Sequence, residues 1–363
     1  MGGVGSNDAL PPDGAHRDGL RHGNADQYLR PPPFSTSPVL PHSHPDGVRH
    51  TFFDTPTPPI PLSPIRPFPN PGTSPVFTDS PGSRHATVDQ RPVAMPPDPV
   101  LTSLRDRAQR LTTRAHVPFS ETPTAAVLLL DDGRWIPGVR VESASYALTL
   151  PALLNAYTTA MAAGGGDAVA AAVLSRPFRR EEALYVEELP QKTERFRPCG
   201  DDAWVCGGGT GDGALPTVGD PLSPELDEHI DDAAAGIDVA RRVATRAYVP
   251  ASDYAVGAVL DCGDGRLVPG VNVEHPDWAR ILCAERNALG TVQSYALPAP
   301  EHLFLTCNED PHGTPCGACR QLLAELAPDT TLWMDRHRDA PERSTVSTLL
   351  PGSFRGQALI AEA

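Results

Sequence analysis

Residues 269–274 read Pro-Gly-Val-Asn-Val-Glu, and residues 137–142 read Pro-Gly-Val-Arg-Val-Glu. The offset of 132 holds without a gap from 108–156 against 240–288, with nearly half of the paired residues identical. Thr113-Arg-Ala-His-Val-Pro-Phe-Ser120 likewise matches Thr245-Arg-Ala-Tyr-Val-Pro-Ala-Ser252. A duplication this regular makes the ordered chain two copies of one unit, expected at 99–215 and 222–363.

In the second copy, Ile230, Ala233, Ile237, Ala240, Val243 and Ala244 recur at helical spacing and predict a helix over about 225–247. Two strands follow, Ala255–Leu260 and Arg266–Val273, joined by the turn Gly263-Asp-Gly265. Helices are expected to begin near Cys283 and Cys316, with strands at about 302–306 and 331–334. Strands alternating with helices indicate an α/β fold, here two tandem three-layer α/β/α domains with mixed sheets. The joining segment, Gly207-Gly-Gly-Thr-Gly-Asp-Gly213, is flexible by composition.

Residues 1–98 have a different character. Of the 42 prolines, 22 lie within residues 1–100. Proline supplies no backbone donor, and the segment shows no apolar period, so it is expected to be a disordered, Pro-rich tail. A passive tail is the plain reading, a docking segment for a polyproline-binding partner the other. Met95 offers an alternative start. The net charge of −15 argues against tracking long nucleic acid, which takes a basic stripe. The sequence shows neither a membrane-length apolar run nor an apolar signal core, and its seven cysteines are not spaced as a disulfide framework. They read as thiols and metal ligands in a cytoplasmic protein.

The chemistry concentrates in Cys283-Ala-Glu285 and Pro315-Cys316-Gly-Ala-Cys319. Zinc takes tetrahedral thiolate or imidazole ligands, and a catalytic site keeps one position open. Cys316 and Cys319, three apart at a helix start, share a face, and Cys283 also begins a helix. Two helix N-termini then favour the thiolate forms. A Cys-x-x-Cys alone fits a structural zinc knuckle equally well, and His312 is the nearest candidate for a closing ligand. Glu285, two residues from a ligand, stands where it can take a proton from an attacking water and pass it to a ring nitrogen and a leaving amine. Three thiolates on a divalent ion leave a net negative charge, which the guanidinium of Arg286 would offset; a helix-surface arginine is the alternative.

These motifs, with Tyr248-Val-Pro-Ala-Ser252, Val256-Gly-Ala258 and Leu349-Leu-Pro-Gly-Ser-Phe354, resemble the cytidine deaminase family across about 240–355. The resemblance implies zinc-dependent hydrolysis of cytidine and deoxycytidine to uridine and deoxyuridine, as in pyrimidine salvage. It also implies ribose contacts from Asn272 and Glu274, base reading by the backbone at Ala284, and stacking on Tyr254, where the family usually has Phe. Phe354 falls where a C-terminal aromatic reaches a neighbouring site; core packing is the other reading. The all-cysteine site is similar to the small tetrameric branch of the family. Tyr254 and the segment His275-Pro-Asp-Trp278 depart from the family pattern, which leaves a modified or antibiotic cytosine nucleoside as an alternative substrate. A polynucleotide deaminase and a non-enzymatic scaffold are the remaining readings.

The first copy has lost the chemistry. Pro151 stands opposite Cys283, Leu153 opposite Glu285, Arg140 opposite Asn272 and Thr122 opposite Tyr254. It keeps the family's Ala and Tyr as Ala144 and Tyr146, which in the tetrameric branch complete a neighbour's site. They are expected to line a catalytic pocket, with an interface or core position as the alternative for Tyr146. Two such chains are expected to form a homodimer mimicking a four-unit ring.

Overall fold

The computed structural model of the chain describes residues 98–189, 196–206, 214–338 and 340–360. The expected tail, apart from Asp98, and the glycine-rich joining segment lie outside these residues.

The first copy opens with α1 (Pro99–Leu111), then β1 (Ala125–Leu130), β2 (Trp135–Val139), α2 (Ala152–Ala162), β3 (Val169–Leu174), α3 (Arg180–Glu187), β4 (Phe196–Pro198) and β5 (Ala203–Cys206). The second runs α4 (Ala233–Ala244), β6 (Val256–Asp261), β7 (Leu267–Val271), α5 (Ala284–Tyr295), β8 (His302–Cys307), α6 (Gly317–Leu326), β9 (Thr331–Met334), β10 (Glu342–Thr345) and α7 (Val346–Leu349). Each half builds a five-stranded sheet, in the orders β2-β1-β3-β5-β4 and β10-β9-β8-β6-β7.

The second sheet is mixed, with β8 and β9 parallel and the other pairings antiparallel. In the first sheet every described pairing is antiparallel. There the chain after α3 returns as the β4–β5 hairpin, where the second copy makes a parallel crossover through α6 to β9. The mixed sheet expected of both copies therefore belongs to the second.

The helix expected from 225 begins at Ala233, because Asp232 caps it by accepting from the Ala235 amide at 2.9 Å. Upstream, Leu226 bridges to Leu267 at the sheet instead. The short exposed β10 carries no apolar alternation and left no sequence signal.

Two glycines fix the layers. A Cβ at Gly257 would lie 2.1 Å from the Ala240 carbonyl of α4, and one at Gly270 would lie 2.1 Å from the Ala284 carbonyl of α5. Gly270 pairs with Ala258, the neighbour of Gly257, so the two glycines point to opposite faces of the sheet. Thus α4 and α5 cover opposite faces, and Gly270 lets the start of α5 sit directly on β7.

The copies meet through α2 and α5 about a local two-fold axis. Thr159 and Thr291, 132 apart in sequence, share a hydrogen bond of 2.7 Å. Arg114 donates to the Ser294 carbonyl, and its counterpart Arg246 donates to the Ala162 carbonyl. Asn155, fully buried, donates to the carbonyls of Val139 and Gly290 and to the Ser294 hydroxyl.

Asn155→Ala leaves these buried acceptors without their donor. It is expected to lower the unfolding free energy by about 1–3 kcal/mol, read from urea denaturation. An unchanged transition midpoint would rule out a stabilising role for the seam.

Candidate active site

Both metal-site helices begin at a cysteine. Cys283 is the N-cap of α5 and Cys316 that of α6, in neither case with a side-chain cap bond. Gly270 seats the first of these ends on the sheet, and Arg320 braces the second by donating to the carbonyls of Pro315 and Leu349. The Cys283, Cys316 and Cys319 sulfurs all lie within 4.8 Å of one another, the one such cluster among the described residues. Cys283 and Cys316 are 3.7 Å apart and Cys316 and Cys319 3.4 Å.

This spacing suits zinc, since Zn–S bonds of about 2.3 Å in a tetrahedron set sulfurs roughly 3.8 Å apart. Cys319 is buried and Cys316 exposed, so the cluster opens on one side. His312 is not part of it; its amide binds the Asp310 carboxylate instead. The neighbouring Cys283 and Cys319 thiols hold the Cys316 thiol well below the usual range.

Glu285 is buried, with Oε2 3.3 Å from the Cys319 sulfur. Burial, with the nearby Cys316 charge, pushes its carboxyl up to about 7. Arg286 donates to the Leu148 carbonyl of the first copy at 3.0 Å, not to a sulfur, and its Nε is buried without a partner.

Just past β7, Asn272 accepts from the Val256 amide and donates to the Tyr254 carbonyl, both at 2.8 Å. Through Oε2, Glu274 accepts from the amides of Ala251 and Ser252. This clamp leaves Asn272 one amide hydrogen and Glu274 one carboxylate oxygen for further bonds. The Tyr254 hydroxyl donates to the Asp310 carboxylate at 3.1 Å. Ala284 is fully buried at the first turn of α5.

The residues expected from the first copy separate. Ala144 is buried, and its amide, with the Ser143 hydroxyl, binds the Glu325 carboxylate of α6, each at 2.7 Å. Tyr146 is 86% exposed and Phe354 56% exposed. The C-terminal segment reaches the first copy, because a Cβ at Gly356 would meet that of Ala144 at 2.5 Å. Gln321 of α6 ties Glu325 to the Phe354 carbonyl.

The pseudo-symmetric segment 275–280 crosses the other way. His275 stacks on Tyr185 of α3 at 5.3 Å, and Arg280 faces Glu188. His275, which stands where the first copy has Ser143, thus packs on the first copy. Glu325, Arg320 and Gly270 were missed from sequence; the only available signal was Gly270 two residues before Asn272 in a strand.

Three clustered thiols at two helix N-termini, beside a buried glutamate, define a zinc site of the deaminase type. The description "Cytidine and deoxycytidylate deaminase zinc-binding region" fits twice, over residues 231–334 and over 80–177. A cytidine deaminase of Halalkalibacterium halodurans is 38% identical over 112 residues, covering 31% of this chain and 85% of that one. One from Mycobacterium tuberculosis is 40% identical over 118 residues, covering 32% and 84%. The crystal structure of cytidine deaminase from Burkholderia pseudomallei is similar over 33% of this chain and 98% of that one, at 31% identity with a TM-score of 0.32. The chain belongs to the cytidine deaminase family and carries two of its domains. It is a hydrolytic deaminase whose cofactor is zinc.

The raised carboxyl of Glu285 has a stability consequence for metal-free protein. Below the ordinary carboxylate value both folded and unfolded chains hold the proton. Between about 4.5 and about 7 the unfolded chain releases it while the folded chain retains it, so the folded state loses ground as pH rises. Glu285→Gln is expected to stabilise metal-free protein by on the order of 3 kcal/mol near pH 8, and hardly at all near pH 4.5. Thermal unfolding at both pH values checks this, and an equal gain at both would contradict it.

Proposed function

We propose that the second copy deaminates cytidine and deoxycytidine, giving uridine and deoxyuridine with release of ammonia, in cytoplasmic pyrimidine salvage. The observation that carries this is the buried Glu285 carboxyl set 3.3 Å from the Cys319 sulfur of the three-thiol cluster. Zinc held by Cys283, Cys316 and Cys319 supplies Lewis acidity that makes water nucleophilic at neutral pH. Glu285 takes one proton from the water that adds at C4 of the pyrimidine and delivers it to N3. It then moves the proton of the new C4 hydroxyl to the amine, the C4–N bond breaks as the C4 carbonyl forms, and ammonia leaves.

Asn272 and Glu274 hold the ribose hydroxyls with the groups their loop clamp leaves open. Their fit to a free sugar, with the acidic net charge of −15, favours a nucleoside over a polynucleotide. The backbone at Ala284 reads the base, and the Tyr254 ring stacks on it. With its hydroxyl held by Asp310, Tyr254 offers the face a Phe would. That supports unmodified cytosine as the base. Arg286 offsets the thiolate charge through its unpartnered Nε.

Two chains are proposed to form a homodimer with two active sites. Tyr146, Phe354, Leu359 and Ile360 are large apolar side chains exposed in a single chain, and a second chain would cover them. Tyr146, beside the buried Ala144, then completes the pocket wall of the neighbouring chain, and Phe354 reaches in from the C-terminal side. Among the described residues no helix is long and apolar enough to cross a membrane.

The direct test follows ultraviolet absorbance with cytidine as substrate. Wild type is expected to turn over, and Glu285→Ala to lose about 10²–10⁴-fold in kcat while retaining zinc. A zinc-loaded wild type that leaves cytidine and deoxycytidine unchanged would overturn the reading. Tyr146→Ala is expected to lower kcat/KM for cytidine severalfold without changing zinc content, and an unchanged kcat/KM would remove it from the site.

A further inference from the structure

The first copy keeps a cavity where the second has its catalytic pocket. About 440 Å³ opens between the copies, floored by Pro151 and Leu153, the counterparts of Cys283 and Glu285. Its lining maps onto itself under the 132-residue offset, since Ala147, Thr149 and Leu154 face Ala279, Ile281 and Arg286. A second cavity of about 290 Å³ shares Thr149, Pro151, Glu181 and Glu182 with the first, so the two adjoin along one wall. Together they lie in the range of roughly 300–1,000 Å³ usual for small-molecule sites.

The two chambers differ in chemistry. The larger has Leu153, Leu154, Ile281 and Tyr185 on its wall, together with Arg280 and Arg286 and the shared glutamates. Tyr185 is 4% exposed, and its hydroxyl is buried with no partner. A buried orphan hydroxyl on a residue that lines a cavity is a donor for which a ligand could supply the acceptor.

The smaller chamber is lined by Arg140, Arg176 and Arg179. Arg140 spends one edge on Glu142, and Arg176 spends one on Glu182. The Nε of Arg176 is buried and unpartnered. Ala152, the first residue of the eleven-residue helix α2, lines the same chamber, and the helix has neither a side-chain cap bond nor an acidic residue in its first turn. Helix end and guanidinium groups together favour an anion. Glu181 adds an acceptor suited to a sugar hydroxyl.

We propose that this cavity pair binds a nucleoside monophosphate, with the base in the Tyr185 chamber and the phosphate among the three arginines. The degenerate copy thus retains a ligand site in place of the lost catalytic one. The proposal does not depend on which nucleoside the second copy deaminates. Arg286 lines the larger chamber and directly follows Glu285, so a ligand there touches the catalytic helix.

The test uses the full-length, zinc-loaded chain. Calorimetry compares uridine 5′-monophosphate, uridine and inorganic phosphate on wild type, Arg179→Glu and Thr149→Trp. The monophosphate is expected to bind wild type at least tenfold more tightly than uridine binds this site, and each variant to weaken it at least tenfold. Circular dichroism checks that both variants are folded; if Thr149→Trp is not, Arg179→Glu carries the test. Cytidine turnover without effector is expected to stay within about twofold in Arg179→Glu, a surface position remote in sequence from the catalytic residues. Binding unchanged by the folded variants, equal binding of uridine and its monophosphate, no binding of the monophosphate, or purely competitive inhibition of deamination would each overturn the proposal.

Discussion

The contact of α2 with α5 about a local two-fold axis is the constraint on which the rest of this structure depends. It is made of counterpart residues, Thr159 against Thr291, with Arg114 and Arg246 each reaching a carbonyl of the other copy. Asn155 packs so closely on Gly290 that a Cβ there would lie 2.3 Å from the amide oxygen. An apolar seam tolerates sliding; a buried polar seam with matched donors and acceptors has one satisfied register. That register fixes the start of α5 against the first copy, where Leu148 holds Arg286. The metal-bearing helix end is therefore positioned both by its own sheet, through Gly270, and by the partner copy.

The repeat made the first two strands of each copy readable, because Gly, Pro and apolar period recur there in pairs, and it left the start of α4 misplaced at 225. The metal cluster was readable because thiols beside a glutamate have few other uses. What was not readable came from contacts distant in sequence. Glu325 binds Ser143 and Ala144 across more than 180 residues, and no local pattern marks it. Asp335 pairs with Arg241 and accepts from Thr306 for the same kind of reason. The repeat fades after Ala156 and Ala288, and there the first sheet takes an antiparallel hairpin that symmetry would not supply.

Preserved residues in the first copy need care in the same light. Glu142 matches Glu274, and both accept from two successive backbone amides, Phe119 and Ser120 in one copy and Ala251 and Ser252 in the other. This clamp is sufficient reason to keep the glutamate whether or not it also meets a ligand. The counterpart of Asn272 was free to change, and Arg140 now pairs with Glu142. One residue of the Asn-x-Glu motif serves the loop in both copies, and the other serves it only where a ligand also needs it.

The two copies divide stability and chemistry unequally. Helix α5 buries Glu285 and leaves both side-chain polar atoms of Asn287 buried without partners. At the matching positions the first copy has Leu153, which is buried at no polar cost, and Asn155, whose amide donates three ways. Glu285 has an apolar counterpart in the first copy, while Asn155 Oδ1, like the Asn287 amide, is buried without a partner, and the seam couples the two helices. The degenerate copy thus holds in place a helix whose own buried groups oppose folding. That gives a physical reason for a chain to keep a half that has lost every ligand of its metal.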